Sequence, residues 1–404
     1  MSSCASIESS APSAVFCDEH STLITRGISQ KFSSVEAAIQ ALKTGQETLV
    51  VGALPFHQGD AVSLFSPDSQ RRSGPLPASS IESASLPPTD SRRSSVADVS
   101  FDFTPNQHRD RIAATVEKIL SGQMQKVVLS RGIELRLCES ELAQRVSDPW
   151  WMVRRFLQSN PNGQGHMVTL EPAGEPYCGA FFVGSNPELL IARKGRHIEA
   201  LPLAGTVPRC KDPVQDQARA TELQLSAKNL HEHAFVTADI AETLSNYCTS
   251  LEVPASPCVT ATSHTWHLGT PIRGTLRGEP ASALELAAML HPTPAVSGFP
   301  QKSACEFLTN EEPHRGFYAG AVGWTDARGD GAWRVAIRGA TVFTQKGEDA
   351  SVRIHARSGG GIVAASLPDD EVQETTAKLG PVFRALGLDL EQLQISENRK
   401  DVFA

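Results

Sequence analysis

The residues of this chain that could do chemistry fall into short clusters. Lys126 opens the apolar run Lys126-Val-Val-Leu-Ser-Arg131. A lysine at a strand start is ordinarily exposed at a sheet edge. The alternative is a desolvated lysine whose pKa is lowered, able to act as a general base. Glu188 lies in Gly184-Ser-Asn-Pro-Glu-Leu-Leu-Ile191, where Pro187 fixes a turn and the apolar run makes a strand. Such a carboxylate is either exposed at the strand mouth or faces an apolar pocket, where burial lets it hold a proton at neutral pH. His231-Glu232-His233 suggests zinc, but on a helix alternate residues stand about 200° apart around the axis, so the two histidines do not share an ion. Asn229 with Glu232 also fits an Asn-capped box, and Glu232 as a magnesium ligand stays open. Glu371, Glu374 and Lys378 are spaced to share one helix face, by default a solvated, salt-bridged one. Ser358-Gly-Gly-Gly-Ile-Val363 lets backbone N–H groups approach an anion, or is an ordinary turn.

The elements that must position these groups can be read in outline. Ser33 to Glu36 predicts a capping box and a short helix ending at Gly45, followed by a strand over Thr48 to Leu54. Thr104-Pro105 opens a helix with Ile112, Val116, Ile119 and Leu120 as its buried stripe. A helix from Trp150 to Leu157 precedes a β-rich block over 166–206. Residues 214–247 read as helical with a break near Asn229, and Ser282 to Glu285 starts another capped helix. Segments 316–325 and 332–343 alternate like a hairpin around Gly329-Asp330-Gly331, whose Arg328-Gly-Asp triplet is a hairpin tip. Residues 352–365 predict a strand pair or strand-turn. A last helix begins near Pro368, with a kink expected at Pro381.

Strands come in hairpins, not in regular βαβ units. The fold class is therefore α+β, with large antiparallel sheets enclosed by helices. Residues 66–100 are dominated by Ser and Pro, and read as a flexible surface loop that cannot bury enough to order itself. The chain thus divides into an N-terminal part of the fold over 1–65, this loop, a catalytic region over 101–392 and a tail over 393–404. Its 404 residues carry 37 Lys plus Arg against 45 Asp plus Glu, a net charge of −8, which argues against nucleic acid as a partner. No apolar run approaches the roughly 18 residues that span a bilayer, so no membrane partner is expected. The start of the chain does not read as a signal peptide. Eight cysteines are scattered without a CxxC pair, which points to the reducing cytoplasm.

Taken in order, the motifs resemble one family. They are Lys126-Val-Val-Leu-Ser-Arg131, Ser185-Asn-Pro-Glu-Leu-Leu190, Pro202-Leu-Ala-Gly-Thr206, His231-Glu-His233, Trp266-His-Leu268, His291 to Pro300, and Gly359-Gly-Gly-Ile-Val363 followed by Glu374-Thr-Thr-Ala-Lys378. The chain is similar over about residues 105–390 to the chorismate-utilising enzymes, and within them to the isochorismate synthases of catecholate siderophore biosynthesis. The resemblance implies Mg²⁺ as cofactor, chorismate as small-molecule substrate, and a monomer. It matches Lys126 to the lysine that activates water, and Glu188 to the glutamate that protonates the departing hydroxyl. Glu232 and Glu374 match the two magnesium ligands. Gly205, Thr206, Ala295, Arg338, Gly359 and Lys378 match substrate-contacting positions, with His267 and Glu371 beside them. Ala204 stands where aminodeoxychorismate synthases often carry a nucleophilic lysine. Ala295 stands where salicylate synthases, the alternative reading, often carry threonine. Isochorismate serving salicylate or menaquinone synthesis is the other alternative. The Ser/Pro-rich insertion departs from the family, as does Arg357, where an apolar residue is common.

Overall fold

Apolar runs punctuated by glycine build two large antiparallel sheets in a computed structural model, which describes residues 11–160, 164–262, 265–344, 351–390 and 392–393. Among the described residues, one sheet has ten strands. Its order runs Gly298–Phe299, Lys126–Leu137, Val352–Ile362, Gly339–Thr344, Ala180–Gly184, Gly165–Thr169, Ala14–Cys17, Thr22–Arg26, Ser69–Ser73, with Val96–Phe101 also paired to Lys126–Leu137. The second has nine strands and runs from Cys248–Glu252 through Leu189–Lys194 and Gly331–Val335 to Gln30–Phe32. A three-stranded sheet joins Leu203–Pro208, Thr265–Gly269 and Cys258–Ala261. The architecture is the expected α+β one.

The two large sheets face each other through Leu23, Val51, Phe65, Val168, Phe182 and Val322. Helices Pro149–Gln158 and Pro368–Leu386 cover the ten-stranded sheet, setting Met152, Phe156, Leu379 and Phe383 against Leu135 and Ile354. Helices Val35–Lys43, Ala227–Ser245 and Ala283–Leu290 supply Ala38, Val236 and Leu286 to the core over the nine-stranded sheet, and Pro105–Leu120 adds Ile112 to the same cluster from beside Lys126–Leu137 and Val352–Ile362. Burying each of the larger side chains stabilises by roughly 2 kcal/mol, so docking holds these helices more firmly than their caps do. The capping boxes at Thr104 with Gln107 and Ser282 with Glu285 are both formed. No helix among the described residues is long and apolar enough to cross a membrane.

Several elements differ from their sequence reading. Residues 66–100 do not run as a bare loop: Ser69–Ser73 pairs with Thr22–Arg26, and Val96–Phe101 pairs with Lys126–Leu137. Backbone hydrogen bonding to established strands orders a segment whose side chains are mostly exposed. The segment expected to alternate over 332–343 is two strands in different sheets, separated at Ala336 to Arg338. Residues 352–362 make one long strand, not a pair. Ser34, not Ser33, caps the first helix, and Ser226, not Asn229, caps the helix that carries Glu232. The last helix continues through Pro381. The tail expected from 393 lies, beyond Leu393, outside the described residues.

Candidate active site

Lys126 begins an interior strand. It lies between Phe299 on one side and the glycine-rich strand Val352–Ile362 on the other, and its side chain is 0% exposed. The edge-lysine reading fails because segments far along the chain close over both flanks. Burial pushes its pKa down against the pull of Glu232, whose Oε1 is 3.3 Å from Nζ. That ion-pair contact aside, Nζ makes no hydrogen bond among the described residues. Gly361 permits this pairing, since a Cβ there would stand 2.1 Å from Glu232 Oε1 and 3.1 Å from Lys126 Cε.

Glu188 precedes the strand Leu189–Lys194 and is 3% exposed. Burial raises its pKa to about 7, opposed by the Leu203 N–H and by the charges of Lys126, Lys378 and Arg338. The pocket-facing alternative therefore describes it. The two groups are shifted in opposite senses, the lysine toward the neutral amine and the glutamate toward the neutral acid.

The expected solvated face of the last helix is buried instead. Glu371 is 1% exposed and pairs with Lys228, while Glu374 Oε1 lies 2.5 Å from Lys378 Nζ. This face rests on the glycine strand, where a Cβ on Gly360 would lie 3.2 Å from Glu371 Oε2 and 3.8 Å from Glu374 Oε1. Burial raises the Glu371 pKa to about 7, with added repulsion from Glu374 and Glu232. Three carboxylates thus meet around a backbone without side chains. Among the described residues no three His, Cys, Asp or Glu side chains converge as a ready-made metal cluster. Each carboxylate instead leans on a lysine.

Beside this cluster opens a cleft lined by both charged and apolar side chains, the mix expected of a small-ligand site. Of the residues matched to substrate contacts, Thr206, Ala295, Arg338, Gly359 and Lys378 line it, together with Glu188 and His267. Gly205 does not; it takes a φ of 79° at an irregularity in strand pairing and packs on Asn229. Lys126, Glu232 and Glu374 lie just behind the wall. Lys378 Nζ donates to Gly359 O at 2.9 Å. Arg338 is a non-glycine residue at φ 55°, a conformation that surrounding structure must enforce. Its NH2 donates to His267 Nε2 at 3.4 Å. Arginine only donates, so Nε2 accepts and Nδ1–H donates to Thr206 Oγ1 at 3.0 Å. Burial and the charges of Arg338 and Lys378 keep His267 neutral. His231 is exposed while His233 is buried, so the two do not share an ion.

Sequence reasoning missed Tyr318. It lines the cleft, and a Cβ on Gly359 would lie 3.2 Å from its hydroxyl. Burial lifts its pKa to about 12, so the hydroxyl is a donor at any working pH. No local pattern marks it, since Ala319 at φ 61° is what turns the chain there.

The family description "Chorismate binding enzyme" matches residues 31–387. The chain belongs to the chorismate-binding enzymes. A Mycobacterium tuberculosis protein with the name MenF is 40% identical over 386 residues, covering 94% of this chain and 97% of its own. Isochorismate synthase DhbC of Bacillus subtilis is 40% identical over 356 residues, covering 88% and 85%. A solved structure of DhbC from Bacillus anthracis superposes with a TM-score of 0.79 at 34% identity, covering 94% of this chain and 96% of that one. The family match spans the whole cleft, from the Lys126 strand to the helix of Glu374.

Proposed function

We propose that this chorismate-binding enzyme is an isochorismate synthase, an isomerase that adds water at C2 of chorismate as the C4 hydroxyl leaves. One observation carries the reading: Glu188, which lines the cleft, is pushed by burial toward its protonated form, and Lys126, buried close enough to feel its charge, is pushed toward its neutral form. Lys126 takes a proton from the attacking water. Glu188 gives its proton to the departing hydroxyl, and in the reverse direction the two exchange tasks. Chorismate carries two carboxylates, and Arg338 and Lys378 hold the one on its enolpyruvyl side chain.

Mg²⁺ fits the remaining residues. It takes one or two carboxylates and fills its other positions with water and ligand oxygens, so Glu232 and Glu374 suffice as protein ligands. Held there, it would supply positive charge for the ring carboxylate, while Lys126, desolvated beside Glu232, remains the base. Glu232→Ala or Glu374→Ala should each raise the Mg²⁺ concentration needed for half-maximal turnover by at least roughly 10-fold. EDTA should silence the wild type and added Mg²⁺ restore it. Full turnover in metal-free buffer would return Glu232 to a plain ion-pair role.

The likeness to DhbC of two Bacillus species supports a product destined for a dihydroxybenzoate siderophore. Seven free cysteines among the described residues support a reducing compartment such as the cytoplasm. The deciding experiment is product analysis by chromatography from chorismate and Mg²⁺, with pyruvate measured in parallel. Isochorismate in reversible balance with chorismate is the expected result, because Ala295 offers only a methyl group where a threonine would grip the side chain for elimination. Stoichiometric pyruvate and salicylate would assign a salicylate synthase instead.

A further inference from the structure

The strand that begins at Lys126 has two faces. Lys126, Val128 and Ser130 alternate on one, and Val127, Leu129, Arg131, Ile133 and Leu135 on the other. The apolar members of the second row are at most 1% exposed, and Ile133 and Leu135 share a core cluster with Leu379 and Phe383 of helix Pro368–Leu386. Arg131, at 2% exposed, is the one charge in that row.

Its guanidinium grips one turn of that helix. Nε donates to Thr375 Oγ1 at 3.2 Å, and NH2 donates to Thr376 Oγ1. Ser358 stands opposite Arg131 in the strand pair, and its hydroxyl donates to Thr375 O at 2.7 Å. The two threonine hydroxyls donate in turn to Val372 O, at 3.0 and 2.8 Å. Each hydroxyl then has only lone pairs to offer, and two N–H groups of one planar guanidinium take them. Residues 371, 374, 375 and 378 follow i, i+3, i+4, i+7 spacing, so Thr375 sits within the face that carries Glu371, Glu374 and Lys378. A Cβ on Gly360 would lie 3.6 Å from Thr375 Cγ2, close to Glu371 and Glu374. Arg131 thus ties this face to the sheet between Glu374 and Lys378.

The plainer role for Arg131 is to help dock the helix. An apolar side chain would serve that role, as Leu129 and Ile133 do in the same row. A buried guanidinium is costly unless a carboxylate offsets it. Among the described residues no carboxylate pairs with Arg131, burial alone lowers its pKa to about 10, and NH1 makes no hydrogen bond. Stability gives little reason for a charge here, whereas geometry gives one. We propose that Arg131 is a positioning residue: its paired N–H groups fix the turn at Thr375 and Thr376, and so set Glu374 and Lys378 against the glycine strand. This inference rests on the proposed function, in which Glu374 holds Mg²⁺ and Lys378 holds the substrate.

Variants on both sides of the contact separate positioning from support. Arg131→Met keeps the stem and removes the N–H groups and the charge. Arg131→Lys keeps the charge without the paired N–H groups. Thr376→Val keeps the shape of the helix face and removes one acceptor. Each is measured for melting temperature, for turnover, and for Mg²⁺ affinity by calorimetry in the absence of chorismate. Arg131→Met should melt at or above the wild-type temperature. It should nonetheless turn over at least roughly 10-fold more slowly and bind Mg²⁺ roughly 10-fold more weakly. Arg131→Lys should rescue neither property. Thr376→Val should weaken both, and should add little in the Arg131→Met background. A structural support gives the opposite pattern, a lower melting temperature with turnover and Mg²⁺ affinity close to wild type. That pattern overturns the proposal, as does an Arg131→Met chain that does not fold. Full recovery in Arg131→Lys overturns it too, because it assigns the role to charge. An unaltered Arg131→Met beside an active wild type overturns this inference alone. A wild type that binds no Mg²⁺ and turns over no chorismate overturns the functional reading, and this inference with it.

Discussion

Lys126→Gln should fold, bind chorismate and lose turnover by about 10²-fold or more. Glutamine keeps most of the length and polarity of the lysine and removes the basic amine. Lys126 makes one ion-pair contact, with Glu232 at 3.3 Å, and its surroundings favour the neutral amine. If it served only to neutralise Glu232, the substitution would lower the melting temperature and leave kcat near normal. If it is the base, kcat falls while the chorismate dissociation constant stays close to wild type. The base form is the deprotonated one, so the wild-type rate should rise with pH on the acid side of its optimum. That limb should disappear in the variant. Near-normal kcat in a folded Lys126→Gln would remove the base assignment.

Lys126 also shows where a sequence stops informing about a site. Its strand was legible from Val127, Val128 and Leu129. Its burial was not, because the walls come from Gly298–Phe299 and Val352–Ile362, more than a hundred positions away in the chain. The same holds for Glu371, Glu374 and Lys378. Their shared helix face followed from spacing. Whether that face met water or the glycine strand depended on packing that spacing does not encode. Local rules did well where the determinant is local: Thr104 with Gln107 and Ser282 with Glu285 form the capping boxes their spacing predicts. They did less well where neighbours override composition, as at residues 69–73, ordered by pairing with Thr22–Arg26. The break at Arg338 is a further case. Only the φ of 55° reveals that an alternating apolar segment changes sheets there and turns a guanidinium into the cleft. The resemblance brought together residues that no local pattern could, yet it offered no place for Tyr318.

Glu188→Gln should bind chorismate and turn it over at least roughly 10²-fold more slowly, because it keeps the shape of the acid and loses its transferable proton. The pH profile makes the test specific. Burial holds the Glu188 pKa at about 7, and the acid works only when protonated. The wild-type kcat should therefore fall as pH rises past about 7, approaching a tenfold loss per unit. The variant should show a low rate without that limb. Stability should move the other way. A carboxyl whose folded pKa lies above its unfolded value stabilises the fold fully below the unfolded pKa of 4.5, and that contribution is lost as pH rises through about 7. At pH 8 the ionised Glu188 costs up to about 3 kcal/mol, so Glu188→Gln should melt at a higher temperature than wild type there. Near pH 4 the two should melt close together. A variant that is slower and less stable at every pH would mark Glu188 as a structural carboxylate. Surviving activity with an unchanged pH profile would place the departing hydroxyl's proton on another group.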